Sequence, residues 1–215
     1  MNSALIPQDP ANERHMGAAL ALGRRGLGIV WPNPAVGCVL VRHSDSGERI
    51  VGRGWTQPGG RPHAETEALR RAGTAAKGAT AYVTLEPCNH QGKAPPCTEA
   101  LIAAGVARVV AAIEDPDPRV AGKGHARLRD AGIEVVTDVC ADAAAGDNAG
   151  YLMHRREGRP LITLKTATTL DGRIAAHTGE SKWITAEAAR RRAHLMRATH
   201  DAVVVGIGTA LVDDP

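Results

Sequence analysis

The chain has 215 residues and a mass of 22.5 kDa, enough for one domain or two small ones with a full hydrophobic core. Hydrophobic residues make up 43% and charged residues 23%, a balance that excludes the disordered, collagen-like and low-complexity classes. With a net charge of +3 and an aromatic content of 2%, the chain has little with which to bind a phosphate backbone or stack on bases, so no nucleic-acid partner is expected.

Apolar patterns in the first 140 residues alternate between helical and extended periods. In chain order, the predicted elements are a helix at 12–25, a hairpin of strands at 35–41 and 49–55, a helix at 63–73, a strand at 79–85, a helix at 97–105, a strand at 107–113, a helix at 124–132 and a strand at 133–137. Helices that alternate with short apolar strands predict a three-layer α/β/α domain, with helices on both faces of the sheet.

The composition changes after residue 140. Residues 141–160 are helical in their middle and close with Gly158 and Pro160, a pattern typical of a connector. Beyond it, a strand is predicted at 161–167, a helix at 185–200 and a strand at 201–207. This second segment therefore amounts to one strand, helix and strand repeat.

No run reaches the roughly 20 apolar residues of a membrane span, so no membrane partner is expected. The first 15 residues lack the basic and apolar regions of a signal peptide, and the protein is predicted to be cytoplasmic. In a reducing compartment the cysteines are expected to be core residues or metal ligands rather than disulfides. The four cysteines are Cys38, Cys88, Cys97 and Cys140.

Residues suited to zinc stand at three predicted junctions between strands and helices. His63 begins a helix, Cys88 ends a strand and Cys97 begins the next helix. Thiolates and an imidazole suit zinc, and three protein ligands leave one position open for water, as in catalytic zinc sites. Glu65 follows His63 by two residues and is placed to accept the proton that such a water releases.

Each of these residues alone has an ordinary structural interpretation. A histidine at a helix start is commonly a surface residue, a glutamate in a first turn complements the helix dipole, and a single cysteine is commonly a buried apolar residue. The combination is more specific. H-x-E followed by P-C and a second cysteine is the signature of zinc deaminases that attack an amine-bearing ring carbon.

The spacing between the two cysteines narrows this class. Nucleoside and tRNA deaminases have P-C-x-x-C, whereas the eight residues NHQGKAPP separate Cys88 from Cys97. With NPAVGCVLV before it and IEDPDPRVAGKG after it, TLEPCNHQGKAPPC closely resembles the deaminase domain of the bifunctional riboflavin biosynthesis family. The resemblance spans nearly all of 12–140. The segments LKTATTLDGRIA, GESKWIT and LVDDP resemble the opening of the same family's NADPH-dependent reductase domain.

This resemblance implies a cytidine-deaminase-like domain at 1–145, a connector at 146–159 and, at 160–215, the first part of a dihydrofolate-reductase-like α/β domain. It also implies the reaction, which removes the 2-amino group of 2,5-diamino-6-(5-phosphoribosylamino)pyrimidin-4(3H)-one as ammonia. The family's reductase continues past Pro215, so the chain is expected to deaminate this small-molecule substrate but not to reduce the product. The oligomeric state is left open, a homo-oligomer included.

Carried over by position, the family's pattern assigns roles to residues in the deaminase segment. His63, Cys88 and Cys97 would bind Zn²⁺, and Glu65 would be the proton shuttle. Contacts to the deaminase substrate would come from Asn33, His90 and Lys93. The Lys93 ammonium is a suitable point charge for the ribose phosphate, while Cys38 and Cys140 match no ligand position.

In the second segment, the family's pattern assigns one set of residues to NADPH and another to the reductase substrate. The NADPH contacts fall at Ala167, Trp183, Thr209 and Asp213. The substrate contacts fall at Ser181 and Arg197, with Lys165 as a further candidate. The pair Gly206 and Gly208 is weak evidence for dinucleotide binding, because a third glycine is missing from the pattern.

Two other functions compete with this interpretation. A tRNA or nucleoside deaminase is disfavoured by the long cysteine spacing, the small positive charge and the reductase-like segment. A non-enzymatic, zinc-stabilised binding module is disfavoured by Glu65 and by the lack of a fourth ligand, and a fourth thiolate or imidazole at the metal would favour it again.

Overall fold

A computed structural model describes residues 9–45, 47–92 and 95–214. The chain divides into two compact units, Met1–Leu161 and Ile162–Pro215. Within the described ranges, no helix is both long enough and apolar enough to cross a lipid bilayer.

Unit one is built around a five-stranded mixed sheet. Its strands are β1 (Gly37–Ser44), β2 (Gly47–Trp55), β3 (Thr80–Val83), β4 (Arg108–Ala111) and β5 (Glu134–Val136). Their order across the sheet is β2-β1-β3-β4-β5. Strand β1 is antiparallel to both β2 and β3, whereas β3, β4 and β5 are parallel to one another. The predicted hairpin is therefore confirmed as β1 and β2.

Helices cover both faces of this sheet. They are α1 (Pro10–Gly23), α2 (Ala64–Ala72), α3 (Cys97–Ala103), α4 (Lys123–Asp130), α5 (Ala141–Asp147) and α6 (Ala149–Glu157). Three short 3₁₀ turns, Arg24–Gly26, Pro58–Gly60 and Gly73–Ala76, complete the described helical residues. Helix α1 begins at Pro10, earlier than predicted, because the Asp9 carboxylate caps it by accepting a hydrogen bond from the Ala11 N–H at 2.9 Å.

Side chains that alternate along the strands divide the interior into two cores. On one face, Val39, Val41, Tyr82 and Val110 pack with apolar residues of α1 and α5. On the other face, the neighbouring strand residues pack with α2, α3 and α4, and they include Cys38, Leu40, Ala81, Val83, Val109 and Ala111. This period of two is what a sheet buried on both faces requires, and the predicted three-layer α/β/α domain is confirmed.

Two glycines of β2 allow α2 to approach the sheet closely. A Cβ atom on Gly54 would lie 2.0 Å from the Ala64 carbonyl oxygen, and one on Gly52 would lie 2.3 Å from the Ala68 carbonyl oxygen. No other residue type fits at such distances. The first turn of α2, which begins directly after His63, is thereby fixed against the sheet.

The connector is helical, as predicted, and its second helix ends at the predicted Gly158. It forms two helices, α5 and α6, which meet at Asn148. The Asn148 side chain accepts a hydrogen bond from the Ala35 N–H at 2.9 Å and donates one to the Ala35 carbonyl at 3.2 Å. This pairing satisfies two main-chain groups just before β1 and attaches the start of α6 to the sheet domain.

Unit two contains helices α7 (Glu187–Ala198) and α8 (Ile207–Asp213) among its described residues. The strands predicted at 161–167 and 201–207 are wrong, because neither segment pairs with another strand and the second runs into α8. An apolar β-rich sequence becomes a strand only when a partner accepts its main-chain hydrogen bonds. Consistent with this, Ile162, Leu164 and Val204 are 82%, 84% and 94% exposed.

Candidate metal and active site

Three side chains in unit one converge on one point. His63 precedes the first residue of α2, Cys88 lies in the loop after β3 and Cys97 is the first residue of α3. The His63 Nδ1 atom lies 3.6 Å from the Cys88 Sγ and 3.4 Å from the Cys97 Sγ. All three ligand atoms lie within 4.8 Å of one another.

These distances fit zinc. Bond lengths of about 2.3 Å to sulfur and about 2.05 Å to nitrogen, at a tetrahedral angle, separate the two ligand atoms by about 3.6 Å. Two sulfurs and one imidazole also form the soft donor set that zinc prefers. Among the described residues, no fourth histidine, cysteine or carboxylate joins this group, so the geometry is that of an open three-ligand site.

Main-chain hydrogen bonds hold the two cysteines together. The Cys97 N–H donates to the Cys88 Sγ at 3.3 Å, and the Thr98 N–H donates to the Cys88 carbonyl at 3.2 Å. The Thr98 hydroxyl also donates to the Asn89 side-chain oxygen at 2.8 Å. The start of α3 therefore closes the long loop between the cysteines, and the hydrogen bond from the Cys97 N–H favours a thiolate at Cys88.

The two thiols differ in charge. Hydrogen bonds from Cys97 and then from His63 lower the pKa of Cys88 to about 4, against the opposing effect of burial. The same contact with Cys88, together with burial, raises the pKa of Cys97. The hydrogen bond to Cys88 raises the pKa of His63. Cys88 is thus an anionic thiolate within reach of a cation.

Glu65 lies in the first turn of α2 and is buried, with 4% of its surface exposed. Burial raises the pKa of its carboxyl to about 7, and the negative charge of Cys88 adds to the rise. A carboxyl with a pKa near neutrality takes up and releases a proton at physiological pH. This is the property that the proton shuttle predicted at Glu65 requires.

The three ligands line an open cleft whose volume, together with the adjoining open solvent, is about 410 Å³. The described residues that line it are Arg61, Pro62, His63, Thr66, Cys88, His90, Gly92, Pro95 and Cys97. Arg61 and Thr66 were not predicted from the sequence, although both flank the motif that contains His63 and Glu65. Their positions beside that motif could have indicated from the sequence that they lie near the site.

The three predicted substrate contacts have different surroundings. His90 lines the cleft, and its buried Nδ1 atom has no hydrogen-bond partner among the described residues. Asn33 is not among the lining residues, and its amide donates to the Gly60 carbonyl at 2.7 Å. Gly60 has φ +83° and would place a Cβ atom 2.1 Å from that amide, so the contact depends on glycine. Lys93 lies outside the described residues.

A second group of possible ligand atoms comprises Glu86, Glu114 and His125. The Glu86 carboxylate is already saturated, because each of its oxygens accepts two main-chain N–H groups. The donors are Asp115, Gly122, Gly124 and His125, at 2.8–3.3 Å. Four amide dipoles directed at one carboxylate disfavour an added cation, so we assign Glu86 a structural role beneath the Cys88 loop.

The positions predicted to bind NADPH and the reductase substrate lie in unit two. Lys165, Ser181, Trp183, Arg197 and Thr209 are exposed, and Ala167 is half-buried. Asp213 is the last residue of α8. The guanidinium of Arg190 lies 4.4 Å from the centre of the Trp183 ring. The described residues of this unit contain no sheet around which these positions are arranged.

The fold and the three-ligand site indicate to which class of protein unit one belongs. Residues 10–113 match the family described as the cytidine and deoxycytidylate deaminase zinc-binding region. Residues 160–215 match a second family, the RibD C-terminal domain. With both matches in this order on one chain, the protein belongs to the RibD family of riboflavin biosynthesis proteins.

Relatives of known name support this assignment. Riboflavin biosynthesis protein RibD of Escherichia coli is 52% identical over 204 residues, which are 95% of this chain and 54% of the relative. RibD of Aquifex aeolicus is 48% identical over 204 residues, 95% of this chain and 56% of the relative. The chain therefore spans about half the length of the relatives it matches.

Solved structures support the same family assignment. Acinetobacter baumannii RibD matches with a TM-score of 0.84 and 50% identity, covering 95% of this chain and 56% of that one. A Thermotoga maritima protein described as a diaminohydroxyphosphoribosylaminopyrimidine deaminase/5-amino-6-(5-phosphoribosylamino)uracil reductase matches with a TM-score of 0.86 and 42% identity, covering 95% and 58%. The cytidine-deaminase-like fold expected for unit one is confirmed.

Proposed function

We propose that this chain hydrolyses the 2-amino group of 2,5-diamino-6-(5-phosphoribosylamino)pyrimidin-4(3H)-one and releases ammonia. One observation carries the proposal: a buried carboxyl with a pKa near 7, Glu65, lies next to an open set of one imidazole and two thiols beneath a cleft. The printed name of the Thermotoga maritima protein supports the choice of substrate.

His63, Cys88 and Cys97 are the proposed ligands of Zn²⁺. When bound, the metal supplies Lewis-acid activation of a water molecule at the open coordination position. The chain's own contribution is to hold the three donor atoms at zinc distances before the metal arrives. The hydrogen bond from the Cys97 N–H to the Cys88 thiolate favours the deprotonated sulfur that coordination needs.

Glu65 is the proposed catalytic acid and base. Its carboxylate takes a proton from the attacking water as the new C–O bond forms at C2 of the ring. It passes this proton to the ring nitrogen, then takes the proton of the new hydroxyl group and gives it to the departing amine. The C–N bond breaks as the carbonyl forms, and ammonia leaves. Burial serves this role, because a carboxyl with the usual pKa would be too weak a base for the first step and would remain ionised in the second.

The remaining deaminase positions are proposed as substrate contacts. His90 lines the cleft with a buried, unpartnered ring nitrogen and suits a polar group of the substrate. Asn33 would need to exchange its hydrogen bond with Gly60 for one with the substrate. For Lys93 the support is its place in the loop between the two cysteine ligands.

The reductase positions also remain proposals. NADPH contacts at Ala167, Trp183, Thr209 and Asp213, and substrate contacts at Lys165, Ser181 and Arg197, are supported by the family match over 160–215. The deaminase half carries the stronger physical argument, because there the three proposed zinc ligands and His90 line one cleft. We further propose the predicted domain boundaries at 145/146 and 159/160, no nucleic-acid partner, and a cytoplasmic location, where cysteine ligands stay reduced.

Two assays on purified chain loaded with zinc test the deaminase proposal. Ammonia release is measured with the phosphoribosylaminopyrimidine, with deoxycytidylate and with cytidine as substrates, and metal content is measured by atomic spectroscopy. We expect about one zinc per chain and turnover of the first substrate alone. Turnover of cytidine or deoxycytidylate at an equal rate would favour a nucleoside deaminase. Bound zinc with no turnover of any substrate would favour the non-enzymatic module.

A further inference from the structure

Arg61 brings the one permanent positive charge to the described lining of the cleft. It lies two residues before His63, in extended backbone with φ −150° and ψ 146°. Its guanidinium approaches Gly92 across the cleft, since a Cβ atom on Gly92 would lie 3.6 Å from an Arg61 terminal nitrogen. Its charge also opposes the rise in the pKa of His63. The side chain is exposed and lines the cleft, so its charge is available to a ligand that enters from solvent.

Arg61 also has no carboxylate partner. Other arginines of unit one pair with acids, as Arg24 does with Asp147 at 2.9 Å and Arg127 with Glu99 at 2.7 Å. Arg61 makes no hydrogen bond or ion pair with any described residue, and none of the described lining residues is acidic. No described residue accepts a hydrogen bond from any of the five guanidinium N–H donors of Arg61.

We infer that Arg61 binds the phosphate monoester of the substrate and sets the preference for a phosphorylated ligand. A guanidinium matches two phosphate oxygens with parallel hydrogen bonds, which an ammonium cannot do. The unpartnered Nδ1 of His90 on the same lining gives the ribose or its phosphate a second polar contact. The inference rests on the proposed function, because it assigns the phosphate end of that substrate.

The test compares kcat/KM for the phosphorylated substrate and for its dephosphorylated ribosylamino analogue. For Arg61→Ala we expect kcat/KM on the phosphorylated substrate to fall about 10- to 100-fold, the usual effect of losing charged hydrogen bonds. The loss should appear mainly in KM, because the phosphate is remote from the reacting carbon. Activity on the analogue should change less than about twofold, and Arg61→Lys should restore part of the preference.

Arg53→Ala is the matched control, since Arg53 is an exposed arginine of β2 that lies outside the cleft lining. It should leave both substrates unaffected. Equal losses on the two substrates in Arg61→Ala, or no loss on either, would overturn the inference.

Calorimetric titration with ribose 5-phosphate, with ribose as its control, separates this inference from the proposed function. If the wild type fails to deaminate the pyrimidine but Arg61→Ala weakens ribose 5-phosphate binding at least about tenfold, the proposed reaction fails and the phosphate site stands. If the wild type deaminates the pyrimidine and Arg61→Ala leaves ribose 5-phosphate binding unchanged, the phosphate site fails alone. No turnover and no binding by the wild type would overturn both.

Discussion

Gly54 of β2 and Ala64 of α2 pack main chain against main chain, with 2.0 Å between the Ala64 carbonyl oxygen and the place a Gly54 Cβ would occupy. This contact fixes the helix end that holds His63 and Glu65. Gly54→Ala must therefore displace α2, and we expect it to cost about 1–3 kcal/mol of unfolding free energy.

The same change should also weaken zinc binding, because His63 moves relative to the cysteines. Chemical denaturation and competition with a zinc chelator measure the two effects. Gly17→Ala is the control, since nothing lies within 4 Å of a Cβ there and alanine favours the helix by about 0.5–1 kcal/mol. Equal stability of the two variants would show that β2 does not position α2.

Replacing Glu65 by glutamine separates proton transfer from metal binding. The amide has a similar shape but cannot accept the water proton, so ammonia release should fall by about 10²- to 10⁴-fold. Zinc content and the melting temperature should stay near those of the wild type. Activity within a few-fold of the wild type would remove Glu65 from the mechanism.

Replacing Cys97 by serine should remove zinc and activity together. A hydroxyl is a poor zinc ligand, and the two remaining donors do not complete a site. Cys140→Ser is the matched control, because Cys140 is a half-buried free cysteine that precedes α5 and belongs to no ligand group. Full zinc occupancy in Cys97→Ser would show that the ligand assignment is wrong.

The pH dependence of stability should report on Asp117. Hydrogen bonds from Arg119 lower the pKa of this carboxyl from 3.8 to about 2. A carboxyl whose pKa is lower in the folded state contributes stability above its unfolded pKa, and this contribution disappears as the pH falls toward its folded pKa. Asp117→Asn should therefore cost at most about 2 kcal/mol at pH 6.

That cost should shrink steadily between pH 5 and pH 2.5. Urea denaturation of the wild type and the variant at a series of pH values measures it. A cost that stays constant across this range would contradict the assignment of the ion pair between Asp117 and Arg119.

NADPH should bind weakly or not at all to the chain of 215 residues. The positions assigned to it, such as Trp183 and Thr209, are exposed, and the described part of unit two has no sheet to bring them together. Dinucleotide sites of α/β folds form where parallel strands end side by side. Fluorescence titration with NADPH tests this, and micromolar binding would show that two helices and extended segments suffice.

Local patterns predicted much of unit one. The site residues His63, Cys88 and Cys97 stand at element ends that periodicity and turn residues mark in the sequence, and parallel strands bring such ends together. The strands of unit two were mispredicted because an apolar run does not reveal whether a partner strand exists. Arg61 was missed for a related reason, since its significance lies in the absence of an acid beside it in space, which no spacing encodes.

The four main-chain donors around Glu86 have a consequence for how the protein is made. They come from residues 115–125, all of which follow Cys97 in the chain. When the last zinc ligand, Cys97, has emerged from the ribosome, the residues that support the Cys88 loop have not yet emerged. We therefore expect the metal site to mature only after α4 has emerged and docked, so that zinc captured earlier is held by a loop without its final support.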